Sequence, residues 1–366
     1  MAMPASLDVR PFRLKLARPY TYARGSYRHR EGALVRARIG DAVGWGDVVP
    51  EMSLRLQAPQ IARDCARAIW GIDPQDPEAI ARLDARAPSP FVRAGVVNAI
   101  LSARAHAAGR TLAAYMAGTD EPPVRAVPVN ALIGGTEPQE AAAKTRAAMA
   151  AGFRTLKIKC GPDRAIDLAR LERIRDAAPD AALRLDANEA WHPDWALAHL
   201  RDLSAFRIDY VEQPLPHGLT DAVLAALAQA SPIAIAIDES ASDLDTIDRL
   251  LGAGASRVVI LKQAYLGGID RVQTAIGIAA AHGCTTVVTS GLESAVGRAA
   301  SAHAAALLPP PIPDCGLGLG GFFVEDTAPD TPIVNGWLDL PSHPGLGLDA
   351  ADYWNALPPE ASEIAS

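Results

Sequence analysis

The sequence predicts an α/β fold: a TIM-type barrel with a smaller α+β unit ahead of it. Two observations carry the prediction. From Val127 onward, short apolar runs rich in β-branched residues alternate with amphipathic helical stretches, seven or eight times over. Continuously apolar strands separated by helices are parallel strands buried on both faces, and so many units favour a closed barrel over an open doubly wound sheet. The first third of the chain keeps a different rhythm, with strands first and helices after them. No Gly-x-Gly-x-x-Gly follows the first strand, which weakens a dinucleotide-binding alternative.

Taken in order, residues 7–17, 33–40 and 43–49 read as three strands. Gly40-Asp41 turns one into the next, and Gly44 and Gly46 flank Trp45. Helical patterns follow at 57–70 and 89–107, with prolines 74, 77, 88 and 90 between them. Barrel strands are expected at 127–133, 154–159, 182–186, 208–212, 233–238, 257–262 and 285–290, with a weaker eighth near 315–324. Helices at 163–178, 193–204, 243–254, 267–282 and 293–308 fill the gaps. The tail, 325–366, lacks the alternation and is expected to pack back on the N-terminal unit. The expected domains are therefore a cap at 1–120, a barrel at 121–324 and a returning segment at 325–366.

Composition narrows the function classes. At 38.4 kDa the chain fits a barrel plus an accessory domain. Apolar residues make up 49% and aromatics only 5%, so the core is built from Ala, Leu, Val and Ile. A formal net charge of −7 without a basic cluster argues against nucleic acid as a partner. No apolar run reaches the ~18 residues of a membrane span, and the N-terminus lacks the pattern of a signal peptide. Cys65, Cys160, Cys284 and Cys315 form no CxxC pair, which fits a reducing, cytoplasmic setting. The eight histidines show no His-x-His or His-x-x-x-His pairing, against a zinc hydrolase barrel. Oligomeric state is not set by the sequence, and a homo-oligomer is compatible with it.

Lysine usage points to chemistry. Of the 35 basic residues only five are lysines. Lys15 and Lys144 read as surface residues. Lys157, Lys159 and Lys262 end apolar strand-like runs in a chain that otherwise prefers arginine. Arginine cannot give up its proton in a protein, whereas lysine can, so proton transfer or a Schiff base is indicated.

Lys159, Asp186, Glu212, Asp238, Lys262 and Ser290 each fall at the C-terminal end of an expected strand, at intervals of 27, 26, 26, 24 and 28 residues. Each interval is one strand plus one helix, so the side chains gather at the rim where barrel enzymes keep their chemistry. Asp186, Glu212 and Asp238 would converge and repel one another. A hard divalent ion resolves that repulsion, and an all-oxygen set suits Mg²⁺, with Mn²⁺ as a substitute. Lys157 and Lys159, two apart in a strand, share a face. Their ammonium groups are expected to depress each other's pKa, which makes Lys159 a candidate general base. Lys262, from the sixth strand, would face it across the metal. Asn188 and Glu239 read as residues that orient lysines and metal ligands. Ser290 reads equally as a cap for the following helix.

As a set, Lys157-x-Lys159, Asp186-x-Asn188, Glu212-Gln-Pro214, Asp238-Glu-Ser240, Lys262 and Pro344-Gly-Leu-Gly347 resemble the enolase superfamily, in its muconate lactonising enzyme subgroup. The resemblance spans nearly the whole chain. It implies a (β/α)7β barrel capped by an α+β domain made from the N-terminal region and the C-terminal tail. It also implies a small-molecule carboxylate substrate bound to Mg²⁺. Thr289-Ser-Gly-Leu-Glu-Ser-Ala-Val-Gly297 is similar to the corresponding segment of o-succinylbenzoate synthases, although Gly291 replaces their more usual second serine. Arg28-His-Arg-Glu-Gly-Ala-Leu-Val35 followed by Gly44-Trp-Gly46 is similar to the cap entry of that family, which makes residues 20–30 a lid.

The implied activity is a carbon–oxygen lyase of menaquinone synthesis that dehydrates 2-succinyl-6-hydroxy-2,4-cyclohexadiene-1-carboxylate. Cycloisomerase, N-acylamino acid racemase and dipeptide epimerase remain alternatives on the same scaffold. Cys315-Gly-Leu-Gly-Leu-Gly-Gly321 lacks the Asp-x-Asp that would hold a dipeptide's amino group. The lid arginines Arg24, Arg28 and Arg30 read equally as a solvated basic loop. A metal-free Schiff-base aldolase through Lys262 and a non-catalytic carboxylate-binding barrel are the readings from other classes.

Overall fold

The computed structural model describes residues 5–22, 25–135, 137–318 and 320–358. Strands β1 (Ser6–Tyr22), β2 (Gly25–Ile39) and β3 (Ala42–Val48) form an antiparallel meander. Strands β1 and β2 stay paired to the tip, through Tyr20↔Tyr27 and Tyr22↔Gly25, after an irregularity beyond Lys15. Within residues 20–30, expected as a lid, the described residues 20–22 and 25–30 are thus the end of a long hairpin. The tyrosines at 20, 22 and 27 are strong strand formers, a signal that the shorter expected strands passed over.

Helices α1 (Ala58–Ile69), α2 (Ala79–Asp84), α3 (Pro90–Ala107) and α4 (Leu112–Ala117) follow. In α1 the buried Ile61, Ala62, Cys65, Ala68 and Ile69 recur at helical spacing. Helix α3 starts at Ser89, whose hydroxyl accepts from the Val92 amide at 3.3 Å, with Pro90 at its first position. It is buried on nearly every side because it is wedged between the meander and the barrel. Glycines make that wedge fit. A Cβ at Gly46 would lie 1.9 Å from the Gly95 carbonyl oxygen, and one at Gly44 would lie 2.2 Å from Ala99 O. The Gly44-Trp45-Gly46 pattern therefore lets β3 lie directly on α3 while Trp45 points to the opposite face of the strand.

The barrel follows the expected order. After β4 (Ala126–Pro128) come β5 (Ala131–Ile133), α5 (Pro138–Ala150), β6 (Thr155–Lys159), α6 (Arg164–Ala177), β7 (Ala182–Asp186), α7 (Pro193–Leu203), β8 (Ile208–Glu212), α8 (Asp221–Ala230), β9 (Ala234–Ile237), α9 (Leu244–Gly252), β10 (Val258–Leu261), α10 (Gln263–Leu266), α11 (Ile269–Ala281), β11 (Thr285–Val288) and α12 (Ala295–Ala305). Strands β5 to β11 form one parallel sheet in chain order. The weak eighth strand shrinks to Cys315–Gly316, yet it closes the ring. Cys315 bridges Val129 and Gly316 bridges Thr289, through Cys315 N–Pro128 O (2.7 Å) and Gly316 N–Val288 O (2.9 Å).

The expected strand 127–133 is split. Strand β4 pairs antiparallel with the tail and β5 joins the barrel, the change of partner falling just after Pro128, which has no N–H to give a ladder. Helices α5 and α8 were not anticipated. Their Ala-rich and uniformly apolar sequences, AAAKTRAAMA and AVLAALAQA, show little helical period.

In the tail, β12 (Ile333–Val334) and β13 (Trp337–Asp339) extend β4. Helix α13 (Ala351–Ala356) sets Trp354 against Trp45 with ring centroids 5.6 Å apart. The guanidinium groups of Arg10 and Arg36 lie over the Trp354 ring at 4.7 and 4.5 Å. The tail thus touches both the barrel and the cap sheet. No helix among the described residues is long and apolar enough to cross a membrane.

Candidate active site

Because β6 to β10 are adjacent and in register, their last residues lie side by side. Lys159 pairs with Asp186, and Asp186 with Glu212, across the ladder. Asp186 and Glu212 are almost fully buried, and Asp238 is 8% exposed just past β9. Lys157 Nζ lies 2.7 Å from Glu212 Oε1 and 2.9 Å from Asp186 Oδ2. Lys159 Nζ donates to Asp186 Oδ2 at 2.7 Å and to Asn188 Oδ1 at 2.6 Å. Lys262 Nζ reaches Asp238 Oδ2 at 2.6 Å. Side-chain exposure separates the amines: 10% for Lys157, 21% for Lys262 and 38% for Lys159. Lys159 is therefore the amine most open to a substrate. Strands β6 and β10 stand four apart in an eight-membered ring, so Lys159 and Lys262 come from opposite walls.

Electrostatics corrects one expectation. Lys157 and Lys159 do share a face, but mutual depression does not govern Lys157. Burial works to discharge it, yet Asp186 and Glu212 outweigh burial and hold its pKa well above the ordinary lysine value. Burial likewise works against the Lys262 ammonium, and Asp238 overrides it, so that pKa also rises. An ion-paired ammonium is a poor nucleophile, which tells against a Schiff base at Lys262. Asp186 is held well below the carboxylate range against its own burial, by Lys157 and then Lys159. Burial and then the Asp186 charge push Glu212 well up.

The rim fits a divalent cation. Its donor set is all oxygen, and Glu212 Oε2 is buried without a partner among the described residues. Two neighbouring acids raise the Glu212 pKa, the charge conflict that a cation relieves. As placed, no three acidic, imidazole or thiol groups among the described residues close on one point. Each of the three carboxylates turns to a lysine instead.

A secondary ring of contacts sets these groups. Asn188 donates from Nδ2 to Glu239 Oε1 at 3.1 Å, so Lys159, Asn188 and Glu239 form a chain. Burial and then Asp238 push the Glu239 carboxyl up to about 7. Gln213, to which the sequence reading gave no role, is a clamp. Its Oε1 accepts from the amides of Asp238 and Ser240 at 3.0 and 3.1 Å, and its Nε2 donates to Leu215 O and Ser240 Oγ, both at 2.8 Å. Asn188, Glu189 and Gln213 have φ of +41°, +67° and +39°, unfavourable values for side-chain-bearing residues. Such strain collects at functional rims.

Ser290 does not cap the next helix, since Ser294 stands at that cap position. Its hydroxyl donates to Gly316 O at 3.2 Å and ties β11 to the closing strand. A Cβ at Gly291 would lie 3.3 Å from Glu293 Oε1, so the glycine leaves room for that buried carboxylate.

Of the lid arginines, Arg24 lies outside the described residues and Arg28 is exposed. Arg30 is not solvated: it is 6% exposed and donates to Leu292 O at 2.9 Å and Val49 O at 3.2 Å, fastening the hairpin to the barrel. A cleft of about 470 Å³ between the hairpin tip and residues 50–61 is lined by Arg13, Arg28, Arg30 and Arg55 with Glu31 and Glu51. It contains no residue of the ionisable barrel rim, which is where the chemistry is read.

With this geometry in hand, comparison with known proteins is direct. The family model described as "Enolase C-terminal domain-like" matches residues 140–354. The chain belongs to the enolase C-terminal domain-like family. This enolase-like chain is also 39% identical over 225 residues to the o-succinylbenzoate synthase of Mycobacterium tuberculosis. That match covers 59% of the chain and 65% of the relative's length. Among solved structures, it superposes on the muconate lactonizing enzyme of Pseudomonas fluorescens complexed with muconolactone. The TM-score is 0.86 at 25% identity, covering 98% of this chain and all of the other. The dipeptide epimerase of Enterococcus faecalis, complexed with Mg and the dipeptide L-Leu-L-Tyr, gives 0.85 at 25% identity, covering 95% of this chain and all of the other. The resemblance drawn from the motifs is thus borne out at the level of the family, and the barrel with its cap at the level of the fold.

Proposed function

We propose that this chain is a Mg²⁺-dependent carbon–oxygen lyase that dehydrates 2-succinyl-6-hydroxy-2,4-cyclohexadiene-1-carboxylate to o-succinylbenzoate, a step of menaquinone synthesis. The observation that carries the reading is the rim itself: three buried carboxylates on consecutive strands, between lysines from opposite walls. The similarity to o-succinylbenzoate synthases supports the substrate assignment. Asp186, Glu212 and Asp238 would hold Mg²⁺. When bound, Mg²⁺ supplies Lewis-acid stabilisation for the negative charge that collects on the substrate carboxylate as the α-proton leaves.

Lys159, the most open amine, takes that proton in its neutral form. The ring C–H bond breaks and its electron pair moves into the carboxylate. As an ammonium, Lys159 then returns a proton to the departing hydroxyl on the same face. The C–O bond breaks, water leaves and the ring becomes aromatic. Lys262, held charged by Asp238, faces the other side and stabilises the developing anion without moving a proton. Lys157 keeps Asp186 and Glu212 together. Asn188 and Glu239 fix the direction of the Lys159 amine.

Amines on opposite walls suit a second reading, two-base racemisation of N-succinyl or other N-acylamino acids, with Lys262 as the second base. Incubating the protein with the cyclohexadiene substrate and Mg²⁺ separates the two. An absorbance change from aromatisation, lost in Lys159→Ala and Lys262→Ala, supports the lyase. No absorbance change, together with racemisation of N-succinyl amino acids, moves the assignment to the racemase. Turnover of neither, with carboxylate binding retained, leaves a binding protein.

A further inference from the structure

Behind Lys159, on the outer side of β6, lies a buried polar cluster that the chemistry above does not use. Asp167 and Arg170 sit three apart on α6, and His199 comes from α7. Trp191 comes from the loop after β7 that also carries Asn188. Their exposures are 2%, 3%, 0% and 1%. Arg170 Nη1 donates to the Lys159 carbonyl oxygen at 2.7 Å and lies 3.3 Å from Asp167 Oδ1. Asp167 Oδ2 accepts from the Gly161 amide at 3.2 Å, and Trp191 Nε1 donates to the Gly161 carbonyl at 3.0 Å. The His199 ring stands edge-on to Trp191 with centroids 4.6 Å apart, its Nε2 3.9 Å from Asp167 Oδ2. The 159–161 turn is thus held at both ends, and the loop bearing the Lys159 partner Asn188 is held to the same point.

The cluster is an expensive way to build a core. A guanidinium this deep meets one carboxylate, while Arg170 Nε and Nη2 and both His199 nitrogens have no hydrogen-bond partner among the described residues. Buried ion pairs of this kind seldom stabilise more than an apolar replacement of equal volume. What the arrangement does provide is geometry. Lys159 is the last residue of β6, its side chain is 38% exposed, and its amine is aimed through two short hydrogen bonds. A permanent cation on its carbonyl fixes the base of that lever arm.

We infer that Arg170, seated by Asp167 and seconded by Trp191, is a positioning residue that sets the Lys159 amine for proton transfer. The inference rests on the reading of Lys159 as the base. Misplacing a reacting group by about an ångström costs up to about 100-fold in rate. Arg170→Lys keeps the charge but loses the planar fork. Trp191→Phe keeps an aromatic ring and loses the N–H together with part of the indole volume. Both variants are compared with wild type and with Lys159→Ala in Mg²⁺, using the cyclohexadiene substrate and its α-deuterated form. Active sites are counted by calorimetric titration with o-succinylbenzoate.

The expected result is a kcat per active site lower by about 10- to 100-fold in Arg170→Lys, and lower by a smaller factor in Trp191→Phe. KM and Mg²⁺ affinity should stay within about twofold, and a full primary isotope effect should appear on kcat. A merely structural role would lower the number of active sites and the Tm, leaving kcat per site and the isotope effect at wild-type values. That outcome overturns the inference, as does wild-type turnover in both variants. If Lys159→Ala itself turns over normally, it is the reading of Lys159 as the base that fails.

Discussion

Replacing Asp47 by Asn tests how the cap is fastened to the barrel. Asp47 lies within β3, and its Oδ2 accepts from the Ser294 amide at 3.0 Å and the Ser294 hydroxyl at 2.8 Å, at the start of α12. It is 3% exposed. Burial first, then Glu293, push its pKa up to about 7. In the unfolded chain the same carboxyl ionises near ~3.9. Folding therefore retains a proton that the unfolded chain has released. The stability this contributes is complete below the unfolded pKa and is lost as pH rises through about 7. From pH 5 to pH 8 the loss covers about two pH units at about 1.4 kcal/mol each, or about 3 kcal/mol.

With roughly 2.1 cal/mol/K of unfolding entropy per residue, a chain of 366 residues converts that into about 4 °C of Tm. Asn keeps the shape and an acceptor for Ser294 and carries no charge. The Glu293 carboxyl, itself raised by burial, also loses a like-charged neighbour, which acts in the same direction. Circular dichroism melts of both proteins at matched ionic strength across pH 5 to pH 8 read the difference, which cancels other titrating groups. The Tm of the Asn variant should gain about 4 °C on wild type over that range. A difference that stays constant, or that narrows in favour of wild type at high pH, refutes the reasoning.

Three further outcomes are expected. Gly46→Ala drives a Cβ to 1.9 Å from Gly95 O and should cost at least about 3 kcal/mol, seen as a loss of soluble protein or a sharply lower Tm. Gln213→Ala removes the acceptor shared by the Asp238 and Ser240 amides. It should weaken Mg²⁺ binding by about 10- to 100-fold in a calorimetric titration, while Lys159 keeps its own partners. Dialysis against EDTA should abolish turnover, with recovery on adding Mg²⁺ and partial recovery with Mn²⁺. Undiminished activity in EDTA would favour metal-free chemistry.

The barrel was legible because its strands are continuously apolar and end on ionisable residues at nearly constant intervals. Both are local signals. Strands β7 and β8 fall on the expected residues, 182–186 and 208–212. Helices α5 and α8 were hidden because an Ala-rich or uniformly apolar stretch carries almost no period to read. The eighth strand was blurred because only Cys315 and Gly316 are needed to close the ring. In the site, Lys159, Asp186 and Glu212 were marked by position. Gln213 and Arg170 act through backbone groups of other elements, and such contacts leave no spacing in the sequence. Arg30 looked like one more loop arginine until Leu292 O and Val49 O appeared around it.

The division of cations follows from what each has to do. Arg170, Arg184 and Arg30 are 3–6% exposed and donate to carbonyl oxygens of Lys159, Asp314 and Leu292. There a permanent, forked cation holds backbone in place, and loss of the proton would only be a defect. The three barrel lysines point instead at carboxylates. On the proposed mechanism an arginine at 159 would remain charged whatever the substrate did and could not take its proton. A chain that otherwise uses arginine almost throughout thus keeps lysine where a compact cation must sit against a carboxylate and, on the proposed mechanism, at Lys159 where the cation must also be able to become a base.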